Sequence, residues 1–453
     1  MNILKRRNVD MLNGPILKRI VTFGLPIFLG SVFQQCYSMV DSIVVGKYVS
    51  ANALAAVGST STLSMLLVGI MMGFPMGASI VAAQFLGAGQ KERIKSTIST
   101  TLWFLLGLAL VITGIGLALS TQIMSWMQVP EAIYPDTVTY FRIFIIGMVF
   151  MALYNFFAAF LRAMGDSTTP LIFLIISSVL NIGGDLFFVL VLKMGVAGVG
   201  WATVLAQAIS VVLCFFYTRK TLEYFNFKKG EMIFDRALFK DILRLGVPSS
   251  LQSSVTGLGM VVVQALINSY GEVNMAAYVA ANRMEQFCNL PMNGISMALS
   301  MFVGQNIGAK NLKRASRGLF ESTVLCMALS AVMSVIIIVF GRNIMNLFVK
   351  SEEVEVIEVG AKFMGMWAPL VFTHGLFQCV VSFLRGAGDS IHSMISMFFD
   401  LVTRTIMAYV FAKGFNMGFM GIAYSIPCGW IACCAYSLGR YFQGGWKTKS
   451  VVK

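Results

Sequence analysis

Four carboxylate side chains interrupt long apolar runs of this 453-residue sequence: Asp41, Asp185, Glu285 and Asp400. Burying a carboxylate among apolar groups is costly, so such a group pairs with a cation, takes up a proton or serves a functional site. The chemistry that these residues offer is therefore the reversible binding of a proton or a small cation.

Two of these carboxylates have polar companions at helical spacing. Tyr37 lies four residues before Asp41, and Gln34 lies about one turn earlier on the same face. Asn181 lies four residues before Asp185 and shares its helix face in the same way. The spacing predicts that phenol, amide and carboxyl groups project together from two helices.

The second half of the chain offers a different set. Asp400 and Arg404 are four residues apart, which predicts an ion pair within one helix. Arg283 and Glu285 are two residues apart and cannot face each other, so one of them requires a partner on another helix. The Asp400–Arg404 pair is either functional or a structural bridge. The candidates for the lining of a cavity are Arg283, Glu285, His374 and Gln378.

The elements that position these groups are transmembrane helices. Hydrophobic residues make up 57% of the chain and charged residues 12%, whereas a soluble domain is about a quarter charged. Apolar runs long enough to span a bilayer predict twelve helices in an all-α polytopic membrane protein. The predicted spans are 17–46, 53–83, 95–120, 134–161, 169–193 and 196–218, then 238–268, 274–305, 316–341, 354–383, 391–413 and 418–440.

The distribution of basic residues predicts the orientation. With the N-terminus inside, 25 of the 34 Lys and Arg residues fall on the cytoplasmic side, six fall outside and three lie within spans. This asymmetry predicts an inner (plasma) membrane protein with both termini in the cytoplasm. It also accounts for the net charge of +14 without a nucleic-acid partner.

The topology brings the first set of polar residues together. At about 1.5 Å rise per residue, Asp41, Asp185 and Thr203 lie at similar depth in the outer half of the membrane. Two carboxylates in one dry pocket do not both ionise readily, so one takes a proton or the pair binds a cation such as Na⁺. The alternative is a packed polar network that only joins helices.

The chain is also an internal duplication. The segment 160–167 recurs at 383–390 with six of eight residues identical, and three further pairs of matching segments occur in the same order in both halves. The repeat predicts two six-helix lobes, 1–218 and 238–453, joined by a cytoplasmic linker at 219–237 and related by an axis along the membrane normal. Pro26 and Pro248 bend the first helix of each lobe, either as fixed kinks or as points of movement.

These segments resemble the multidrug and toxic compound extrusion family. The resemblance covers nearly the whole chain and rests on Gly24-Leu-Pro26, residues 41–46 and 53–58, residues 84–89, the paired Leu-Arg-x-x-Gly-Asp-Ser loops and residues 195–202. It implies a transporter that exports organic cations in exchange for H⁺ or Na⁺. It also implies a cation site in the first lobe at Asp41, Asn181, Asp185 and Thr203.

The sequence departs from the family pattern in the second lobe. Some family members have acidic cation ligands in spans 7 and 10, where this chain has glutamines, His374 and Gln378. This departure favours coupling in the first lobe. His374 is either a group that titrates near neutral pH or a hydrogen-bonded packing residue.

The sequence favours export over two other functions. A lipid-linked saccharide flippase of the same superfamily is the alternative, but its pyrophosphate calls for more basic residues than Arg142, Arg283 and Arg404 within the spans. An enzyme is not expected, because HExxH, GxSxG and P-loop motifs are absent from the sequence. We expect a monomer in the lipid bilayer with small organic cations as its partners and no cofactor beyond the coupling ion.

Overall fold

The computed structural model describes residues 8–228, 230–350 and 352–452, except for the side chains of residues 253–261. These parts of the chain are helical and contain no strand. The first half contains α1 (Ile16–Val44), α2 (Ala51–Gly87), α3 (Lys91–Ala118), the short α4 (Ser120–Trp126), α5 (Tyr134–Ala163), α6 (Thr168–Leu186) and α7 (Gly195–Thr221). The second half contains α8 (Arg236–Asn268), α9 (Glu272–Gly308), α10 (Leu312–Met345), α11 (Val354–Trp367), α12 (Val371–Gly386), α13 (Ser390–Tyr409) and α14 (Phe419–Gln443).

The helices confirm the prediction of a polytopic all-α membrane protein. Within the described residues, ten helical segments are long and apolar enough to cross a membrane, with α11 and α12 counted as one continuous segment. Helices α8 and α9, of 33 and 37 residues, exceed the length of about 20 residues needed to span the hydrocarbon core and complete the predicted twelve.

The chain folds into two compact units. Of the described residues, unit 1 contains 8–9, 29–228 and 230–250, and unit 2 contains 10–28, 251–350 and 352–452. The predicted lobes differ from these units because the first part of α1 belongs to unit 2 and the first part of α8 to unit 1. In both helices the change of unit follows two residues after the proline, Pro26 or Pro248.

Glycine allows the first part of α1 to pack within unit 2. A Cβ atom on Gly24 would lie 3.0 Å from the carbonyl oxygen of Gly294, and one on Gly294 would lie 2.8 Å from the carbonyl oxygen of Gly24. The segment before α1 is also fastened inside this unit, since Asn306 donates to the carbonyl of Met11 at 3.1 Å and Arg314 to that of Gly14 at 2.8 Å. These contacts explain why residues 10–28 group with the second half.

The first part of α8 packs in the same way within unit 1. A Cβ atom on Gly246 would lie 2.8 Å from Cδ1 of Phe74, and one on Gly77 would overlap the backbone of Gly246. Gly77 and Gly246 therefore allow α2 and α8 to approach with their backbones nearly in contact.

The linker between the halves is held against the start of α3 in unit 1. Lys91 forms an ion pair with Glu223 at 2.6 Å and Lys95 with Glu231 at 3.2 Å, while the Ser99 hydroxyl donates to the carbonyl of Ile233 at 3.0 Å. The backbone N–H of Lys228 and the ammonium of Lys95 lower the pKa of Glu231, which keeps this carboxylate ionised.

Candidate coupling site

The predicted site residues of the first half come together in unit 1, where α6 and α7 pack closely. A Cβ atom on Gly184 would lie 3.1 Å from the Cβ of Ala202, and one on Gly198 would lie 3.0 Å from the Cβ of Phe188. Small residues let helix backbones approach in a membrane protein, so these glycines bring the end of α6 against α7. Asp185 thereby lies next to the turn of α7 that carries Thr203.

Both carboxylates precede a local change in helix geometry. Asp41 is followed by a π-helical turn at Val45–Val49, and Asp185 by another at Phe187–Val191. Such turns are rare and occur frequently at functional sites. A third turn of this type, Val410–Gly414, occupies the matching place after α13.

Asn181 is the hydrogen-bonding centre of the site. With its amide oriented to satisfy every neighbour, its Nδ2 donates to Oδ2 of Asp185 at 3.2 Å. Its Oδ1 accepts from the backbone N–H of Thr203 at 3.1 Å and from the Thr203 hydroxyl at 3.0 Å. This amide therefore joins the Asp185 carboxylate on α6 to the hydroxyl on α7.

The carboxyl groups of Asp41 and Asp185 are neighbours, and each has one oxygen without a hydrogen-bond partner among the described residues. The side chains of Asp41 and Asp185 are close enough for one to donate a hydrogen bond to the other when one carries a proton. Oδ1 of each is buried without a hydrogen-bond partner among the described residues, and Asp185 is fully buried. Buried carboxylate oxygens require a partner, so the pair can accept a proton or a cation.

A cavity of about 120 Å³ adjoins this pair. Its lining includes Gln34, Tyr37, Asn181 and Thr203, so four of the six residues predicted for the coupling site border one space. Asn181 faces this cavity and also contacts Asp185, and it thus forms the physical link between the cavity and the carboxylates. The arrangement can hold a ligand beside a group whose charge changes.

Sequence reasoning missed several residues of this site. Tyr140 is an electrostatic neighbour of both carboxylates, and Asn155 and Gln207 line the cavity. Gln207 could have been recognised, because it lies four residues after Thr203 and so shares its helix face. No comparable spacing connects Tyr140 or Asn155, both on α5, to the predicted set.

The ion pair of the second half differs from the predicted one. Among the described residues, Nη2 of Arg404 lies 3.3 Å from Oε2 of Glu285, and Asp400 is outside ion-pair distance of this guanidinium. The predicted Asp400–Arg404 pair is therefore wrong. Glu285 reaches Arg404 from α9, and this is the interhelical partner that the Arg283–Glu285 spacing required.

Asp400 lies next to this pair with an open oxygen of its own. Its Oδ1 is buried without a hydrogen-bond partner among the residues that the structure describes. A Cβ atom on Gly429 would overlap this oxygen and lie 3.1 Å from the Cβ of Arg404. Gly429 therefore provides the room that the Asp400 carboxylate occupies between α13 and α14.

The other candidate residues of unit 2 separate into different surroundings. His374 is buried, with Nδ1 3.3 Å from the sulfur of Met292 and its ring centroid 5.2 Å from that of Trp430, which favours the packing role. Gln378 donates to Asn293 at 3.2 Å. Arg283 lines another cavity, of about 480 Å³, that does not include Glu285.

The described residues offer few conventional metal ligands. Among them, no group of three or more His, Cys, Asp and Glu side chains lies together. A cation held at Asp41 and Asp185 would therefore take its remaining oxygen ligands from the Asn181 amide, the Thr203 hydroxyl or water, a set that suits a hard cation such as Na⁺.

Comparisons with known proteins agree with the fold and with the duplication. The MatE family model matches the chain twice, at residues 26–187 and 248–410. The chain is 30% identical to the probable multidrug resistance protein YoeA of Bacillus subtilis, over 95% of this chain and 94% of that protein. It is 23% identical to the probable multidrug resistance protein NorM of Thermotoga maritima, over 96% and 94%.

Solved structures show the same fold. An outward-facing multidrug resistance MATE family transporter superposes with a TM-score of 0.91 at 23% identity, covering 98% of this chain and 99% of that one. Both relatives are named as probable multidrug resistance proteins, and neither name supports the flippase alternative. The chain belongs to the MatE family of multidrug and toxic compound extrusion transporters, as a multi-pass membrane protein.

Proposed function

We propose that this protein is an antiporter that exports organic cations in exchange for H⁺ or Na⁺, with Asp41 and Asp185 as its coupling pair. One observation carries the proposal: two adjacent carboxyl groups with open buried oxygens are linked through Asn181 to a cavity lined by polar side chains. No organic cofactor is needed for this exchange, and the protein acts as a monomer.

The exchange follows from the charge of the pair. When both carboxylates are ionised, a positively charged substrate near the cavity is attracted to them. When a proton or Na⁺ binds, the pair loses negative charge and the substrate loses its counter-charge. Substrate and coupling ion then bind competitively, and each lowers the affinity for the other by the same factor.

Helix α1 is the element that transmits this change. Gln34, Tyr37 and Asp41 all follow Pro26 on α1, and Pro26 lies where the helix changes from one compact unit to the other. A proline within a helix leaves a carbonyl without its usual hydrogen bond and allows bending. Neutralisation of Asp41 therefore alters the packing of the part of α1 beyond Pro26.

The orientation rests on the charge count, with both termini in the cytoplasm of a bacterial cell. A cysteine introduced at Glu131, in an exposed 3₁₀ turn before α5, should react with an impermeant thiol reagent added to intact cells. A cysteine at Lys228, in the linker, should react only after the cells are opened. The opposite labelling would overturn the orientation.

Transport in proteoliposomes tests the function. A pH gradient and a Na⁺ gradient are imposed separately, and the exchange of a fluorescent organic cation is followed. We expect one of the gradients to drive exchange in the wild type, and neither to drive it in Asp41→Asn, whose amide has the shape of the protonated acid. Asp136→Asn, which neutralises an exposed acid on α5 of the same unit, is the matched control and should keep the wild-type rate. Wild-type exchange by Asp41→Asn would contradict the assignment of the coupling pair.

A further inference from the structure

A cavity of about 480 Å³ in unit 2 has a character different from that of the coupling site. It is lined by residues of α8, of α9 and of the connection between α10 and α11. Two basic side chains, Arg283 and Lys350, border it together with Gln264 and one acidic residue, Glu353. The lining of this cavity therefore carries a net positive charge.

The basic groups are available to a ligand. Arg283 and Lys350 are both exposed, and neither has a carboxylate within ion-pair distance among the described residues of the chain. Glu353 lines the same cavity but forms no ion pair with either group in this part of the structure. The Gln264 amide is held by Asn268 at 2.8 Å, which fixes its place in the wall.

The position of Arg283 makes this availability significant. Arg283 lies eleven residues after Glu272, the first residue of α9, which places it about 16 Å along the helix. By the topology predicted from the charge distribution, this depth is within the membrane. A guanidinium at such a depth faces a water-filled cavity and commonly marks a pathway for a charged ligand.

The remainder of the lining is apolar. Met275, Val279, Phe348 and Val349 form much of the wall, and methionine and phenylalanine adapt to irregular apolar bodies. A volume of this size lies within the range of about 300–1,000 Å³ typical of small-molecule sites. The cavity thus combines an anion-binding end with a surface for an apolar body.

We propose that this cavity of unit 2 binds amphiphilic organic anions, through a carboxylate, phosphate or sulfonate group at Arg283 and Lys350 and an aromatic or alkyl body on the apolar wall. A planar guanidinium can bind such an anionic group through two parallel hydrogen bonds, and the Lys350 ammonium adds a second charge. The ligand class is opposite in charge to the cations that the acidic pair of unit 1 attracts. The protein would therefore accept molecules of both signs at separate sites.

Binding of matched naphthalene probes tests this site. The protein is placed in nanodiscs of phosphatidylcholine, and the binding of 1-naphthoate, 1-naphthylmethanol and 1-naphthylmethylammonium is measured by calorimetry. We expect the carboxylate to bind at least about tenfold more tightly than the neutral alcohol, which is the effect of a charge-assisted contact worth about 1.4 kcal/mol. Equal binding of the carboxylate and the alcohol would overturn the proposal.

Variants locate the site. Arg283→Gln should weaken 1-naphthoate binding about tenfold, and Arg283→Lys, which keeps the charge, should retain part of it. Lys413→Gln is the matched control, because it removes an exposed positive charge of the same unit that lies outside the lining of the cavity. Wild-type binding by Arg283→Gln, or an equal loss in Lys413→Gln, would contradict the site.

Two further measurements show whether the anion is a soluble molecule or a lipid headgroup, and whether the site works independently of Asp41. Adding phosphatidylglycerol to the nanodiscs should leave 1-naphthoate binding unchanged if soluble anions are the ligands. If an anionic lipid headgroup uses the same residues, phosphatidylglycerol should weaken 1-naphthoate binding more in the wild type than in Arg283→Gln. Both outcomes support an anion site in this cavity. Asp41→Asn should bind 1-naphthoate normally, so a failure of the proposed coupling mechanism remains distinct from a failure of this inference.

Discussion

The two halves of the duplication place different chemistry at matching positions. The loops and the starts of α7 and α14 match at an offset of 223 residues, which pairs Asn181 with Arg404. Asn181 is an uncharged amide that contacts an acidic pair, whereas Arg404 is a guanidinium that pairs with Glu285. Thus the two carboxylates of unit 1 have no fixed cation beside them, whereas the Glu285 carboxylate of unit 2 has the Arg404 guanidinium.

This difference explains why one half suits ion coupling better than the other. A fixed guanidinium occupies the place that a proton or Na⁺ would take, so the Glu285 carboxylate of unit 2 is already neutralised by the protein itself. At the positions that match Asp185 and Thr203, unit 2 has Ala408 and Ile426, both buried. The duplicated fold is therefore retained in both halves, while the exchangeable charge is confined to one.

The largest effect is expected when unit 1 is given the charge pattern of unit 2. Asn181→Arg places a guanidinium beside Asp185, where it should form a fixed ion pair with that carboxylate and occupy the place that H⁺ or Na⁺ would take. Gradient-driven exchange of a fluorescent cation should fall to the level of empty liposomes, whereas Asn155→Gln, which changes another amide of the same cavity, should keep most of it. Exchange at the wild-type rate in Asn181→Arg would show that the comparison does not determine coupling.

A second substitution removes the cation of unit 2. Arg404→Gln leaves Glu285 and Asp400 buried without a counter-charge, and breaking a buried ion pair costs about 3–5 kcal/mol of unfolding free energy. The loss is measured by unfolding in mixed detergent micelles. Arg342→Gln breaks the exposed pair with Glu358 and should cost at most about 1 kcal/mol; equal losses in the two variants would refute the structural role of Arg404.

A smaller loss of stability is expected when Gly429, which contacts Asp400, is substituted. In Gly429→Ala the added methyl group would overlap Oδ1 of Asp400, and such overpacking costs about 1–3 kcal/mol of unfolding free energy. The matching residue of unit 1 is Ala206, which lines the coupling-site cavity, so Ala206→Gly should cost less. A reversed order would mean that α13 and α14 have spare room around this carboxylate.

The smallest effect is expected in a comparison of Glu285 and Asp400, the two acids of the unit 2 cluster. Glu285→Gln removes the hydrogen-bonded ion-pair partner of Arg404, whereas Asp400→Asn leaves that pair intact. We expect Glu285→Gln to lower the unfolding free energy by about 1.5 kcal/mol more than Asp400→Asn does. The same unfolding measurement would show the reverse order if Arg404 were paired mainly with Asp400 within α13.

Much of the fold was predictable because the bilayer imposes a simple rule on the sequence. Predicted spans such as 354–383 agree within a few residues with the observed helical segments, here Val354–Gly386. The duplication was also visible in the sequence, because loop glycines and helix-starting segments repeat in order. The helix faces of the acidic pair followed from residues spaced by four.

The partners of the buried charges were harder to predict. Spacing along one helix pointed to Asp400 as the partner of Arg404, but the guanidinium is long enough to reach Glu285 on α9, and sequence spacing carries no information about that distance. The exchange of the first parts of α1 and α8 between units was missed for the same reason. It depends on glycine contacts such as Gly24 with Gly294, 270 positions apart in the chain.

That contact has a consequence for biosynthesis. The first part of α1 leaves the ribosome long before α9, and its packing surface on α9 is made only after some 270 further residues. At about 5–20 residues per second, this segment waits for at least about ten seconds in the lipid. The first part of α1 thus enters the membrane well before it can be packed, and its own apolar sequence must keep it stable in the bilayer during translation.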